Sequence, residues 1–142
     1  MSHNPFRNQV PQYRPTIKDS IPSEDDEQVT LVQFLSIKKL PHFHPRNEGI
    51  HKVQYMKKSK AMGVYSGVPD LFVFLPHKLV AIELKRRIVT TKTGKASKSH
   101  VKVSDNQRDW IDTINCYEYA NATVCYGATD AIEFIKSEMG WK

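Results

Sequence analysis

Between Gly63 and Arg87 the chain reads GVYSGVPDLFVFLPHKLVAIELKRR, and this stretch limits what the rest can fold into. The run from Leu71 to Leu75 is apolar, branched and aromatic, which suits a buried strand. The pattern predicts a strand from about Asp70 to Leu75, a tight bend at Pro76-His77-Lys78 and a second strand from Leu79 to Lys85. Asp70 stands at the mouth of the first strand, after a proline that cannot donate to a sheet ladder. Side chains alternate along a strand, so Val80, Ile82 and Leu84 share one face while Glu83 and Lys85 share the other. An acid and an amine on one face of an otherwise apolar strand are costly in a core. They make sense where they hold a metal ion and a water.

The remaining elements follow from helical and strand signals. Residues 1–22 hold four prolines and no periodicity, and read as an extended arm ahead of a single domain over 23–142. Ser23 is a good N-cap, and Glu24, Asp25, Asp26 and Glu27 place negative charge at the positive end of a helix that Lys38-Lys39 close. Glu27 shares a side with Leu31 and Phe34 and faces inward. It is one of four acids, so position alone does not mark it as functional. His42-Phe43-His44 reads as a short strand before a loop at Pro45–Gly49, and residues 50–61 as a short helix with its lysines outside. The histidines have no matching cysteine pair and no HxxxH spacing, which excludes a zinc site of the usual kind. Ser104 and Gln107 form a capping box for a helix whose core stripe is Trp110, Ile111, Ile114 and Tyr117. Ala122 to Tyr126 is a core strand, and Asp130-x-x-Glu133 caps a last helix with Ile132, Ile135 and Met139 inward. The tally is α, β, α, β-hairpin, α, β, α. It predicts an α/β fold with a mixed central sheet flanked by helices.

Bulk properties narrow the partners. No apolar run approaches the ~20 residues of a membrane span, and the N-terminus has no signal-peptide core, so a cytoplasmic, membrane-free setting is expected. Cys116 and Cys125 fit no metal spacing and read as reduced core thiols. The formal net charge is +6. Its distribution matters more: Lys85, Arg86, Arg87, Lys92, Lys95, Lys98 and Lys102 fall in one stretch without an acid, and Lys52, Lys57, Lys58 and Lys60 form a second basic run. Two basic runs bracketing the Asp70/Glu83/Lys85 hairpin favour phosphate contact. The stretch from Ile88 to Val103 is long enough to be a loop that touches DNA.

Pro69-Asp70 followed by Glu83-Leu84-Lys85 resembles the PD-(D/E)xK motif of the restriction-endonuclease-like nucleases. The surrounding residues are similar to one branch, the VRR-NUC family: Glu27 in an early helix, Asn47-Glu48-Gly49, Gly67-Val68-Pro69-Asp70, Glu83-Leu84-Lys85 and Gln107 at a helix start. The resemblance runs in order over roughly residues 23–136. It implies a restriction-endonuclease-like core and metal-dependent phosphodiester hydrolysis. Asp70, Glu83, the Leu84 carbonyl and Glu27 would hold Mg²⁺ or Mn²⁺. Lys85 and Gln107 would orient the attacking water or the phosphate. Lys57, Lys58, Lys60, Arg86, Arg87, Lys92, Lys95, Lys98 and Lys102 would contact DNA, and no small-molecule cofactor is implied. Gln107 thus carries two readings, helix cap and site residue, and both remain open. The expected activity is structure-selective DNA cleavage, foremost of Holliday junctions by a homodimer, because stand-alone members of the family are associated with junction resolution. So small a nuclease suits a phage or a bacterium. The alternatives are a nuclease for flaps, single strands or duplex ends, and a non-catalytic DNA-binding scaffold. The intact Asp70/Glu83/Lys85 set argues against the last.

Overall fold

The structure is a computed structural model that describes residues 21–45, 53–88 and 102–141. The elements follow the order expected from the sequence: α1 (Glu24–Ile37), β1 (His42–Phe43), α2 (Val53–Ala61), β2 (Leu71–Phe74), β3 (Leu79–Lys85), α3 (Asp105–Ile114), β4 (Ala120–Tyr126) and α4 (Ala128–Met139). The four strands form one mixed sheet in the order β1-β2-β3-β4. β1, β2 and β3 are antiparallel, and β4 lies parallel to β3. The N-terminal arm up to residue 20, the Asn47-Glu48-Gly49 loop and Lys92, Lys95 and Lys98 lie outside the described residues.

The two faces of the sheet are covered unequally. On one, Leu71, Val73, Val80, Ile82, Leu84 and Cys125 pack with Leu31 and Leu35 of α1 and Ala128, Ala131 and Ile135 of α4. On the other, Ala81 and Ala122 meet Ile111 of α3, with Phe72, Ile114 and Val124 partly buried beside them. Two alanines under α3 let the helix approach the sheet closely. Fully buried strand residues stabilise by about 1.5–3 kcal/mol each, so the first face carries most of the fold's driving force.

The N-cap expected at Ser23 and the capping box expected at Ser104–Gln107 are both present, and Ser23 proves to head a full box as well. Ser23 accepts the N–H of Asp26, whose carboxylate reaches back to the Ser23 N–H, and Ser104 with Gln107 does the same for α3. α1 ends in a Schellman motif: Leu40 N–H bonds the Leu35 carbonyl, Lys39 N–H bonds that of Ser36, and Lys39 takes the left-handed conformation. Its apolar closing pair, Leu35 and Leu40, is buried in the core.

Four sequence expectations need correction. α4 begins three residues earlier than a cap at Asp130 implies, and its cap is not an Asp130-Glu133 box. Its N-cap is Gly127 at φ 92°, which has no side chain to offer, and Asp130 instead accepts the N–H of Tyr126. The first N–H of α4, that of Ala128, is taken by Glu27 Oε2 at 2.9 Å from α1. A Cβ on Gly127 would stand 2.3 Å from that oxygen, so glycine is required there. Tyr117 lies beyond the end of α3 and is half exposed, and Cys116 is exposed, leaving Cys125 alone as a core thiol.

Glu27 is therefore the bracket between α1, α4 and the chain leaving β3. It is 1% exposed, and its Oε1 also accepts from Nε and Nη2 of Arg87. Glu27→Ala strands the Ala128 N–H, frees Arg87 and opens a void. It should lower unfolding free energy by roughly 2–4 kcal/mol in urea titration. A loss below ~0.5 kcal/mol, the scale of a surface change, would show that the bracket is dispensable.

Candidate active site

The hairpin register builds the site. Leu71 pairs with Ile82 across β2 and β3. Continuing that antiparallel register by one step sets Asp70 opposite Glu83, on the face shared with Lys85. β2 has ended by then, and the edge is completed by a side chain: Leu84 N–H donates to Asp70 Oδ2 at 2.8 Å. In a strand, one residue's N–H and C=O leave on the same side. The Leu84 carbonyl thus faces the Asp70 edge, while the carbonyl of Lys85 points to β4 and accepts from Gly127.

Gln107 enters from the first turn of α3 and serves in both readings at once. Its amide oxygen accepts from Ser104 N–H at 2.9 Å and from Lys85 Nζ at 3.1 Å. Its amide nitrogen donates to Glu83 Oε1 at 2.6 Å. The helix cap and the site are the same side chain. Lys85 Nζ lies 3.3 Å from Glu83 Oε1. Both residues are buried, at 8% and 2% exposure. Asp70, Glu83, Lys85 and Gln107 are thereby brought together at one end of the sheet.

Electrostatics marks this end as unusual. Burial, followed by the charge of Asp70, pushes Glu83 up to about 7 from an ordinary 4.5, although Lys85 pulls it down. Asp70 is raised by burial as well, against the Leu84 N–H, His44, Lys85 and a hydrogen bond with Glu83. Two desolvated carboxyl groups in mutual contact fit a hard divalent cation, which would neutralise both. Among the described residues no three His, Cys, Asp or Glu side chains are grouped to enclose an ion. A Mg²⁺ ion suits such a sparse set, since it is commonly held by one or two carboxylates and keeps waters.

Glu27 is not part of this group; it is committed to Arg87 and Ala128. The acid of α1 that feels the charge of the site is Glu24, at the exposed start of the helix, where partial desolvation and then the charge of Asp70 raise its proton affinity. His44 was also missed as a neighbour: its Nδ1 bonds the Asp70 carbonyl. Because a carbonyl only accepts, that nitrogen carries the proton. Of the basic residues, Lys57, Lys58, Lys60 and Lys102 are exposed. Arg86 is occupied with the carbonyls of Pro22 and Ile21, both at 2.8 Å, and Arg87 with Glu27.

The raised carboxyl has a stability consequence with a definite sign. The folded state holds the Glu83 proton to about pH 7, while the unfolded chain releases it near 4.5. Between those values the folded state binds more protons, so stability falls as pH rises. In chelator, the melting temperature of the wild type should drop from pH 5 to pH 8, and Glu83→Gln should flatten the slope and melt higher at pH 8. Parallel curves for the two proteins would contradict the assignment.

Comparisons with known proteins bear on the family and the fold. A family model described as the VRR-NUC domain matches residues 8–129, starting inside the proline-containing arm. The solved structure of a VRR-NUC domain protein shares the fold, with a TM-score of 0.60 at 20% sequence identity, over 83% of this chain and 88% of that one. The comparison with curated proteins returned no match. The family model spans most of the chain, and the protein belongs to the VRR-NUC family, a nuclease-type domain whose implied substrate is DNA.

Proposed function

We propose that the protein is a Mg²⁺-dependent endonuclease, with Mn²⁺ able to substitute, that hydrolyses phosphodiester bonds in branched DNA, foremost at four-way junctions. The observation that carries the catalytic reading is the convergence of two desolvated carboxylates, a buried lysine and a cap-locked glutamine at one sheet end. When bound, the cation would be held by Asp70, Glu83 and the Leu84 carbonyl, and it would supply Lewis acidity to the phosphate and to a water.

The chain's own groups supply orientation and charge. Lys85 has three N–H donors. One is directed at Glu83 and one at Gln107, which leaves the third for the attacking water or a phosphate oxygen. Charge held in place before reaction stabilises the developing negative charge without reorganisation. Gln107 does not touch the phosphate in this scheme; it fixes Lys85 and Glu83 from a rigid helix start. Glu24, whose charge couples to that of Asp70, adds negative charge that favours a cation. The described residues of one chain carry one such site. Paired incision of a junction needs two, and a two-fold homodimer is the simplest supply.

One panel tests the metal: four-way junction, flap, duplex and single strand, each with Mg²⁺, Mn²⁺ or EDTA. Cleavage should vanish in EDTA, and Asp70→Asn should lose at least ~100-fold in rate while DNA affinity holds. Lys85→Ala should lose most turnover yet still take up Mg²⁺ in calorimetric titration, because a charged lysine offers the ion no lone pair. Full activity in EDTA would refute the metal role, and absence of cleavage with any substrate would leave a DNA-binding scaffold.

The junction has its own test. The free protein should sediment as a dimer at micromolar concentration, and a plasmid-extruded cruciform should be linearised within one binding event. A monomer that leaves nicked circles while cutting flaps well would replace the junction with the flap as substrate.

A further inference from the structure

α2 ends, like α1, in a Schellman motif, but a different one. Val64 N–H bonds the Ser59 carbonyl at 2.9 Å, Gly63 N–H bonds that of Lys60 at 3.1 Å, and Gly63 takes φ 90°. The motif ordinarily closes with an apolar contact between these outer positions. In α1 that pair is Leu35 and Leu40, both buried. In α2 it is Ser59 and Val64, and Val64 is 44% exposed. The backbone is held, yet among the described residues Val64 belongs to neither core cluster. Met62 is 74% exposed and Tyr65 48%. Isolated exposed apolar residues need no explanation, but a contiguous apolar tip does.

The tip is fastened to the active-site helix. Trp110 Nε1 donates to the Ser66 carbonyl at 3.2 Å, and Asn106 Nδ2 donates to Ser66 Oγ at 2.7 Å. The Tyr65 and Trp110 rings lie 6.0 Å apart at 56°. Trp110 is one helical turn beyond Gln107, which bonds Glu83. Gly67 completes the joint: at φ 80°, a Cβ there would stand 2.6 Å from the backbone of Asn106. Lys57, Lys58 and Lys60 are exposed on the helix that carries the tip. Cations beside an aromatic and apolar tip complement a nucleic acid strand, whose phosphates and base faces lie side by side.

We propose that residues 62–65 form a base-contacting tip that engages an unpaired nucleobase next to the cleavage site. This inference rests on the DNA-nuclease reading. Tyr65, braced by Trp110, offers the stacking face. Met62 and Val64 are the apolar shoulder that fills the space a lost base pair leaves, as apolar wedges do in kinked DNA. Lys57, Lys58 and Lys60 hold the flanking phosphates. The tip selects DNA with a base already out of the stack, since opening an intact duplex has its own cost.

Binding in EDTA isolates this step from catalysis. The probes are a duplex and the same duplex with a short single-stranded gap carrying 2-aminopurine. Wild-type protein should quench the 2-aminopurine in the gap and prefer the gapped DNA. Tyr65→Ala should lose about 5- to 150-fold on gapped DNA, the scale of one stacked base, and change by less than about twofold on duplex. Tyr65→Phe should bind as the wild type does. Replacing Lys57, Lys58 and Lys60 by Ala should weaken both probes alike and flatten the salt dependence. An unchanged gap-to-duplex ratio in Tyr65→Ala, or no quenching by the wild type, overturns the tip and leaves the nuclease reading intact. No affinity of the wild type for either DNA overturns both. A tip that instead captures a protein would leave the ratio unchanged.

Discussion

The sheet edge at Asp70 is the constraint on which the site depends. β2 stops one residue short of pairing Asp70 with Glu83, and the N–H of Leu84 would be stranded there without a partner. Asp70 Oδ2 fills that position at 2.8 Å. A side chain substituting for a strand fixes its carboxylate as firmly as a ladder fixes a backbone. The proline before it cannot extend the ladder, and Gly67 turns the chain in at a φ closed to most residues. The carboxylate is thus held against the edge of the sheet.

Placing acids in a desolvated corner costs stability, and the fold offsets the cost with neighbours that are themselves immobile. Glu83 faces Lys85 and Gln107; Gln107 is held by the cap of α3. No buried side-chain nitrogen or oxygen among the described residues lacks a hydrogen bond. What remains is a surplus of proton affinity at Glu83, and a surplus of that sign is what a cation would relieve. Raised proton affinities of this kind cluster at functional sites.

The sequence made the local part of this legible. Ser23, Ser104 and Gln107 signal helix starts because caps are contacts within three residues, and alternation in β3 reveals which residues share a face. It did not reveal which acid of α1 does what. Glu24 and Glu27 are one turn apart, and their fates separate only through contacts with residues distant in sequence. One meets the charge of Asp70, and the other meets Arg87 and the N-terminus of α4. The cap of α4 was hidden for the same reason: its acceptor lies far away in sequence, and no local pattern encodes it. Cys116 and Tyr117 were misplaced because an apolar helical stripe was extended past a helix that ends at Ile114.

The two faces of the sheet therefore divide the work: Glu27 ties the helices of one face together, and Gln107 joins the other face to the site. α1 and α4 bury the larger aliphatic layer and are tied to each other by a carboxylate at a helix N-terminus, where the dipole favours it. α3 covers the opposite face with fewer apolar residues and over two alanines. Its first turn is held by Ser104 behind and Ser66 beside it. A helix held at its start, over a thin layer, keeps Gln107 fixed while its outer surface stays open. That asymmetry places the rigid chemistry of Asp70, Glu83 and Lys85 directly beside an accessible rim, which is the arrangement that cutting a long polymer from outside requires.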